Sequence, residues 1–201
     1  IFYSDLEHRV QNIDGFDFVI PGVFTLFFPP TDDRNFSESI AYFGDVSYAL
    51  TDRLTVGVGT RYFEDDRKIE RTSGSISEAT FDNLSSKGYI SFALTDSANI
   101  YASVSEGFRS GSFNNDAFIL SGGSPSYDPE KLLSYELGSK ATLLDKRLTT
   151  EFALFYSEYT DLQTIDFDPF AGAFGFVNVG KAVITGIEWN SQWAPNPQLS
   201  L

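Results

Sequence analysis

The feature that most constrains this chain is a two-residue alternation, held over runs of about ten residues or more and broken by connections that are alternately short and long. From Ile40 one face reads Ile40, Tyr42, Gly44, Val46, Tyr48 and Leu50, and the other Ala41, Phe43, Asp45, Ser47 and Ala49. After the polar Thr51-Asp52-Arg53, a second run sets Leu54, Val56, Val58, Thr60 and Tyr62 against Thr55, Gly57, Gly59, Arg61 and Phe63. Period two with one apolar face predicts β-strands. Helices are not predicted.

The pattern recurs. Gly88, Ile90, Phe92 and Leu94 oppose Lys87, Tyr89, Ser91 and Ala93, and the short connection Thr95-Asp96-Ser97-Ala98 leads to Ile100, Ala102 and Val104. Leu133, Tyr135, Leu137, Ala141 and Leu143 oppose Glu136, Gly138 and Lys140. Past Leu144-Asp145-Lys146-Arg147 the apolar set is Leu148, Phe152, Leu154 and Tyr156. The last full run places Val179, Val183, Thr185, Ile187, Trp189 and Trp193 opposite Gly180, Gly186, Glu188, Asn190 and Gln192, and Ala194-Pro195-Asn196-Pro197 is read as a turn. Between these hairpins lie three longer segments without sustained periodicity, about 64–83, 107–130 and 160–176, all expected to be loops.

Soluble strands average about 5–6 residues, whereas a tilted strand needs roughly 9–11 to cross the hydrocarbon layer. Long strands joined by short turns at one end and long loops at the other are the pattern of outer-membrane barrels, and Tyr42, Tyr48, Tyr62, Tyr135, Tyr156 and Trp193 on the apolar face suit a membrane–water interface. The other face carries Arg61, Lys87, Glu136, Lys140, Glu151 and Glu188, unsuited to a dry core but acceptable in a wet or plugged lumen. Its glycines, Gly57, Gly59, Gly138, Gly180 and Gly186, are expected where another backbone approaches closely. Lys181 is out of place, sharing parity with Val179 and Val183.

Composition narrows the function. No run of 18 apolar residues exists, so no membrane-spanning helix is expected. A net charge of -14 argues against nucleic-acid binding. There is no Cys and one His, His8, which removes disulfides, thiol nucleophiles and most metal chemistry. Neither GxSxG nor HExxH occurs, and the acidic groups at 32–33, 64–66, 116 and 161–168 lack EF-hand spacing, so they are read as solvated loop charge rather than Ca²⁺ sites. No catalytic, metal or cofactor site is expected. The chain opens and closes inside strand-like segments, without a signal peptide, so it is expected to be a piece of a longer protein.

Three ordered strings add a resemblance. IYASVSEGFRSGSFN (100–114), YDPEKLLSYELGSKATLLDKRLTTEFALFYSEYTDLQ (127–163) and VNVGKAVITGIEW (177–189) resemble the barrel of TonB-dependent receptors, over about half the chain. That resemblance implies an all-β antiparallel transmembrane barrel of about 22 strands, integral to the bacterial outer membrane, of which residues 1–201 would form a part without the plug domain. About seven full and two partial strands are expected. It implies uptake of a scarce nutrient, a ferric siderophore before other cargoes, energised by the TonB complex acting on the plug, with lipid and lipopolysaccharide around the wall. A passive channel, or failing that a soluble β-sandwich binding module, are the alternatives.

Ligand contacts are expected in the long loops, where function concentrates on a rigid scaffold. The candidates are Phe16, Phe18, Phe108, Arg109, Phe113, Tyr127, Phe167, Phe170 and Phe174. For Arg109, in Gly-Phe-Arg at the end of an upstroke, the plainer expectation is an ion pair with a neighbouring acid.

Overall fold

The computed structural model describes residues 2–12, 16–20, 24–28, 31–170 and 172–195, with side chains described for 3–7 and 32–195 apart from 171. Eight long antiparallel strands form one open sheet in the order β1-β4-β5-β6-β7-β10-β11-β12. They are β1 (Phe2–Asn12), β4 (Thr31–Ala49), β5 (Leu54–Glu70), β6 (Ile76–Thr95), β7 (Ala98–Arg109), β10 (Glu130–Leu143), β11 (Leu148–Asp168) and β12 (Ala173–Trp193). Two small hairpins stand off the wall: β2 (Phe16–Ile20) with β3 (Phe24–Phe28), and β8 (Ser112–Phe113) with β9 (Ser126–Tyr127). One short helix, α1 (Asp116–Leu120), lies between β8 and β9. Among the described residues no helix is long and apolar enough to cross a membrane.

The register explains the alternation. Residues opposite one another across antiparallel strands share a face. One row therefore runs Tyr48, Val56, Ile90, Ala102, Leu137, Leu154, Ile187 across seven strands. The adjacent row on the other face runs Ser47, Gly57, Tyr89, Ser103, Glu136, Phe155, Gly186. The apolar face is bare: Tyr48 is 67% exposed, Ile187 68% and Trp189 76%. So large a contiguous apolar surface needs a partner, and lipid satisfies it without any directional contact. On β11 the apolar face runs from Leu148 to Tyr156 before reaching Glu158. At about 3.3 Å per residue and a tilt near 40°, that is roughly 20 Å of height, close to the ~25 Å band of outer-membrane barrels.

Two expected loops are strand. β5 and β6 remain paired from Leu54↔Phe92 to Glu70↔Ile76, leaving only 71–75 as a turn across the expected loop 64–83. β11 and β12 likewise pair as far as Asp168↔Ala173, across the expected loop 160–176. Above the membrane neither face of a strand meets lipid, and polar residues occupy both, so the apolar alternation stops although the backbone ladder continues. The pairing breaks only opposite Asp161, at φ 54, where the 161–180 pair is missing from an otherwise constant register. The early segment 13–30 contains the β2–β3 hairpin.

Of the inward glycines, Gly138 meets a backbone as expected, its Cβ position lying 2.8 Å from Phe152 O, Gly59 meets the Asp45 and Lys87 side chains, and three lie against aromatic rings. A Cβ on Gly57 would lie 2.2 Å from the Tyr89 ring, one on Gly138 2.5 Å from Tyr101, and one on Gly186 2.5 Å from Phe155. Each ring comes from the directly opposed residue of the next strand. At these three positions an aromatic side chain thus lies across the glycine, a known way of stabilising glycine in sheets. Around Gly180 nothing lies within 4 Å. Lys181 is also accounted for: its Nζ lies 2.7 Å from Glu158 Oε1, and Glu158 follows the Tyr156 level, so the pair stands outside the apolar band.

Candidate functional site at the long-loop end

The connection from β7 to β10 is the longest among the described residues, and a set of side-chain-to-backbone bonds folds it over the sheet. Asn114, almost fully buried, donates from Nδ2 to Ser124 O (2.9 Å) and Phe176 O (2.8 Å), and its Oδ1 accepts from Phe176 N (2.7 Å). This carboxamide does what a neighbouring strand would do, satisfying both backbone groups of Phe176. Asn115 caps α1 by accepting from Phe118 N at 3.0 Å, and donates to Phe174 O at 2.9 Å. Asn178 clasps Asp128 through both its N–H (2.7 Å) and its O (2.9 Å). Gln163 Nε2 reaches Ser110 O (3.0 Å) and Asp128 O (2.9 Å).

Phe118, 3% exposed, closes the loop onto β12. Its ring occupies the space beside two glycines, since a Cβ on Gly175 would lie 2.1 Å from it and one on Gly123 2.3 Å. From the β5–β6 turn, Arg71 enters the same region, with a side chain only 2% exposed. It donates to Asn114 O (2.9 Å) and Ser77 Oγ (2.9 Å) and lies 3.6 Å from Asp116. Its Nη2 is buried with no hydrogen-bond partner among the described residues.

The candidate ligand residues separate into groups. Phe113, Tyr127 and Phe174 line one cavity of about 360 Å³, together with Phe176, Ile69 and Asp33. Tyr127 and Phe176 sit 5.2 Å apart between ring centroids, and Phe167 stacks on Phe174 at 4.5 Å. Phe170 is 99% exposed at the β11–β12 tip, away from that cavity. Arg109 is bound to Glu130 at 2.8 Å and donates to Gln163 O at 3.3 Å. Phe108 packs edge-on to Phe63 at 5.2 Å and lines a second recess, of about 660 Å³, with Phe43, Arg61 and the Lys87–Asp45 ion pair. It turns there because the β6–β7 ladder ends at Lys87↔Ser105, where Glu106 instead accepts from Ser86 N at 2.9 Å. The side chains of Phe16 and Phe18 lie outside the described residues.

The residues that organise the mouth, Arg71, Asn114, Gln163 and Asn178, carry no signal that composition or period could detect. A dense run of Gly, Ser and Asn at 110–124 is the one trace of this loop in the sequence. Among the described residues no group of three or more His, Cys, Asp or Glu side chains is arranged to hold a metal ion.

Comparison with known proteins agrees with this geometry. The family model "TonB dependent receptor-like, beta-barrel" matches residues 2–201. The pesticin receptors of Yersinia pestis and Yersinia enterocolitica are each 27% identical over 170 residues, covering 78% of this chain. The chain spans about a quarter, 24%, of the length of those relatives. Among solved structures, the ferric yersiniabactin uptake receptor FyuA from Yersinia pestis superposes with a TM-score of 0.70 at 20% identity, over 97% of this chain and 29% of that one. The alcaligin outer-membrane receptor FauA from Bordetella pertussis gives 0.60 at 22% identity, over 97% and 36%.

Proposed function

The chain belongs to the TonB-dependent receptor β-barrel family, and from that premise we propose that it supplies part of the wall and mouth of a receptor that takes up a ferric siderophore with energy delivered through TonB. As a member of that family it is an integral outer-membrane barrel protein, and its relatives are receptors rather than enzymes. The observation that carries the proposal is a polarity inversion joined to a folded mouth. One face is built of apolar rows, the other of small, charged and aromatic residues, and the β7–β10 loop closes an aromatic cavity at one end.

On this reading residues 1–201 are one portion of a barrel of about 22 strands, and a plug domain elsewhere in the protein meets TonB. The open sheet and the share of the relatives' length support it. The relatives' names support the cargo class, because yersiniabactin and alcaligin receptors share the fold. Lipopolysaccharide and lipid are the partners of the outward face, and Phe108, Arg109, Phe113, Tyr127, Phe167, Phe170 and Phe174 remain the described candidates for cargo contact.

The test uses the parent reading frame expressed in the outer membrane of iron-starved cells. Expected are a heat-modifiable, detergent-extracted barrel and iron uptake that stops when TonB is deleted or the proton gradient is dissipated. Uptake indifferent to both would replace the proposal with a passive channel. A water-soluble product would remove both membrane readings.

A further inference from the structure

We infer that the mouth admits neutral or cationic aromatic chelates and discriminates against polyanionic ones, an inference that rests on the uptake function proposed above and specifies its cargo by charge. Three arginines of the mouth each stand beside an acid. Arg67 Nε lies 2.7 Å from Asp65, Arg109 Nη2 2.8 Å from Glu130, and buried Arg71 3.6 Å from Asp116. A ligand phosphate or carboxylate could recruit Arg67 or Arg109 only by drawing it from its acid, which would leave Asp65 with the Ser37 hydroxyl alone, while Arg71 is only 2% exposed and does not line the aromatic cavity. That exchange is costly, because breaking a buried pair from one side strands the other charge.

The cavity itself points the same way. Its walls are the rings of Phe113, Tyr127, Phe174 and Phe176, and its one lining charge is Asp33. Asp33 Oδ1 is held by the N–H and the O–H of Thr72, both at 2.9 Å, and among the described residues no Lys or Arg pairs with it. Aromatic faces present the negative side of their quadrupole, which attracts cations and suits stacked neutral rings. A carboxylate at the edge adds attraction for positive charge and repulsion for negative. Another arginine, Arg61, lies lower in the wall over the Phe63 ring at 5.1 Å and lines the other recess.

The experiment compares two aromatic probes that differ in charge, gallium(III) tris(benzohydroxamate), which is neutral, and gallium(III) tris(catecholate), which carries three negative charges. Binding to the detergent-solubilised full-length receptor is read by calorimetry or competition. Each added negative charge is expected to weaken binding about fivefold at low ionic strength, so the neutral complex should bind about a hundredfold tighter, with the ratio shrinking as salt rises. Asp33→Asn, which keeps the oxygen that accepts from Thr72, should narrow the ratio by about fivefold per charge removed from contact. Equal or tighter binding of the tris(catecholate), or a ratio that Asp33→Asn leaves unmoved, overturns the charge inference while leaving the uptake proposal standing. Failure of both probes, together with TonB-independent uptake in cells, overturns both.

Discussion

Ile187→Arg should destabilise the intact barrel by about 2–4 kcal/mol, the cost of an arginine on the lipid face at the bilayer midplane. The position follows from the register. On β12 the outward run opposite Leu148–Tyr156 extends from Thr185 to Trp193, with Val183 level with Glu158 and Lys181 already outside it. Ile187 lies inside that run, 68% exposed, in the row shared with Leu154, Leu137 and Ala102. A control at similar depth on the other face is Asn190→Arg, which would face the lumen opposite Glu151. There the new charge meets water and a carboxylate, so the change should stay within about 0.5 kcal/mol. A gap of about 2–4 kcal/mol corresponds to roughly 30- to 800-fold in the folding constant. The assay is reversible urea unfolding of the full-length receptor in lipid vesicles, followed by the heat-modifiable band. If the two variants lose similar stability, or if Asn190→Arg is the worse, the face assignment built on the row Tyr48 to Ile187 is wrong.

Three other outcomes test the mouth. Gly175→Ala places a methyl group against the Phe118 ring, where the built Cβ is 2.1 Å away, and overpacking of about 1–3 kcal/mol should loosen the loop, seen as faster hydrogen exchange at 115–123 with the wall unchanged. Asn114→Ala removes three bonds of 2.7–2.9 Å to Ser124 and Phe176 and leaves their backbone groups unsatisfied, so the same amides should lose about 2 kcal/mol of protection or more. At the β5–β6 tip, the ammonium of Lys68 holds the Glu70 carboxyl below its ordinary value through a hydrogen bond. A depressed carboxylate contributes stability above its unfolded value and loses it as pH falls through the folded one. Protection of amides 66–70 should therefore fade below the ordinary carboxylate range, and Lys68→Met should remove that pH dependence.

How far the sequence discloses the wall depends on where water is. Between Tyr42 and Leu50, or Leu148 and Tyr156, lipid on one side and a wet lumen on the other force opposite polarities onto successive residues, and the period is plain. Beyond Tyr62 the same strand continues as Glu64, Asp65, Asp66, Arg67 and Lys68. Neither face now meets lipid, and the covered inward side is itself polar, as at Asp65, 1% exposed, so nothing selects apolar residues at alternate positions. The ladder persists through cross-strand polar contacts such as Thr80 with Asp66 and Lys68 with Glu78 at 3.8 Å. Strand therefore reads as loop wherever no lipid face imposes apolar residues, which is why the segments 64–83 and 160–176 are invisible to a periodicity argument while the turns at 51–53 and 144–147 are not.

The mouth is hidden for a different reason. Its bonds join residues 40 to 60 positions apart, as in Asn114 to Phe176 and Gln163 to Ser110. They use side chains that are common in any exposed loop. What makes Asn114 specific is that Phe176 has an unclaimed N–H and C=O on the side away from β11, and that backbone availability is a property of the folded edge and not of any local string. The aromatic residues could be nominated from the sequence because loop phenylalanines are unusual. Sorting them needed the same long-range register, since Phe174 and Phe113 meet only because Asn114 and Asn115 draw the loop onto β12, whereas Phe170, two residues beyond the last paired residue of β11, is left in solvent. The charge of the mouth follows the same logic. Arg109 in a Gly-Phe-Arg string invites an anion-binding role, but its register partner on β10 is Glu130, so the ladder that places the arginine at the mouth also neutralises it.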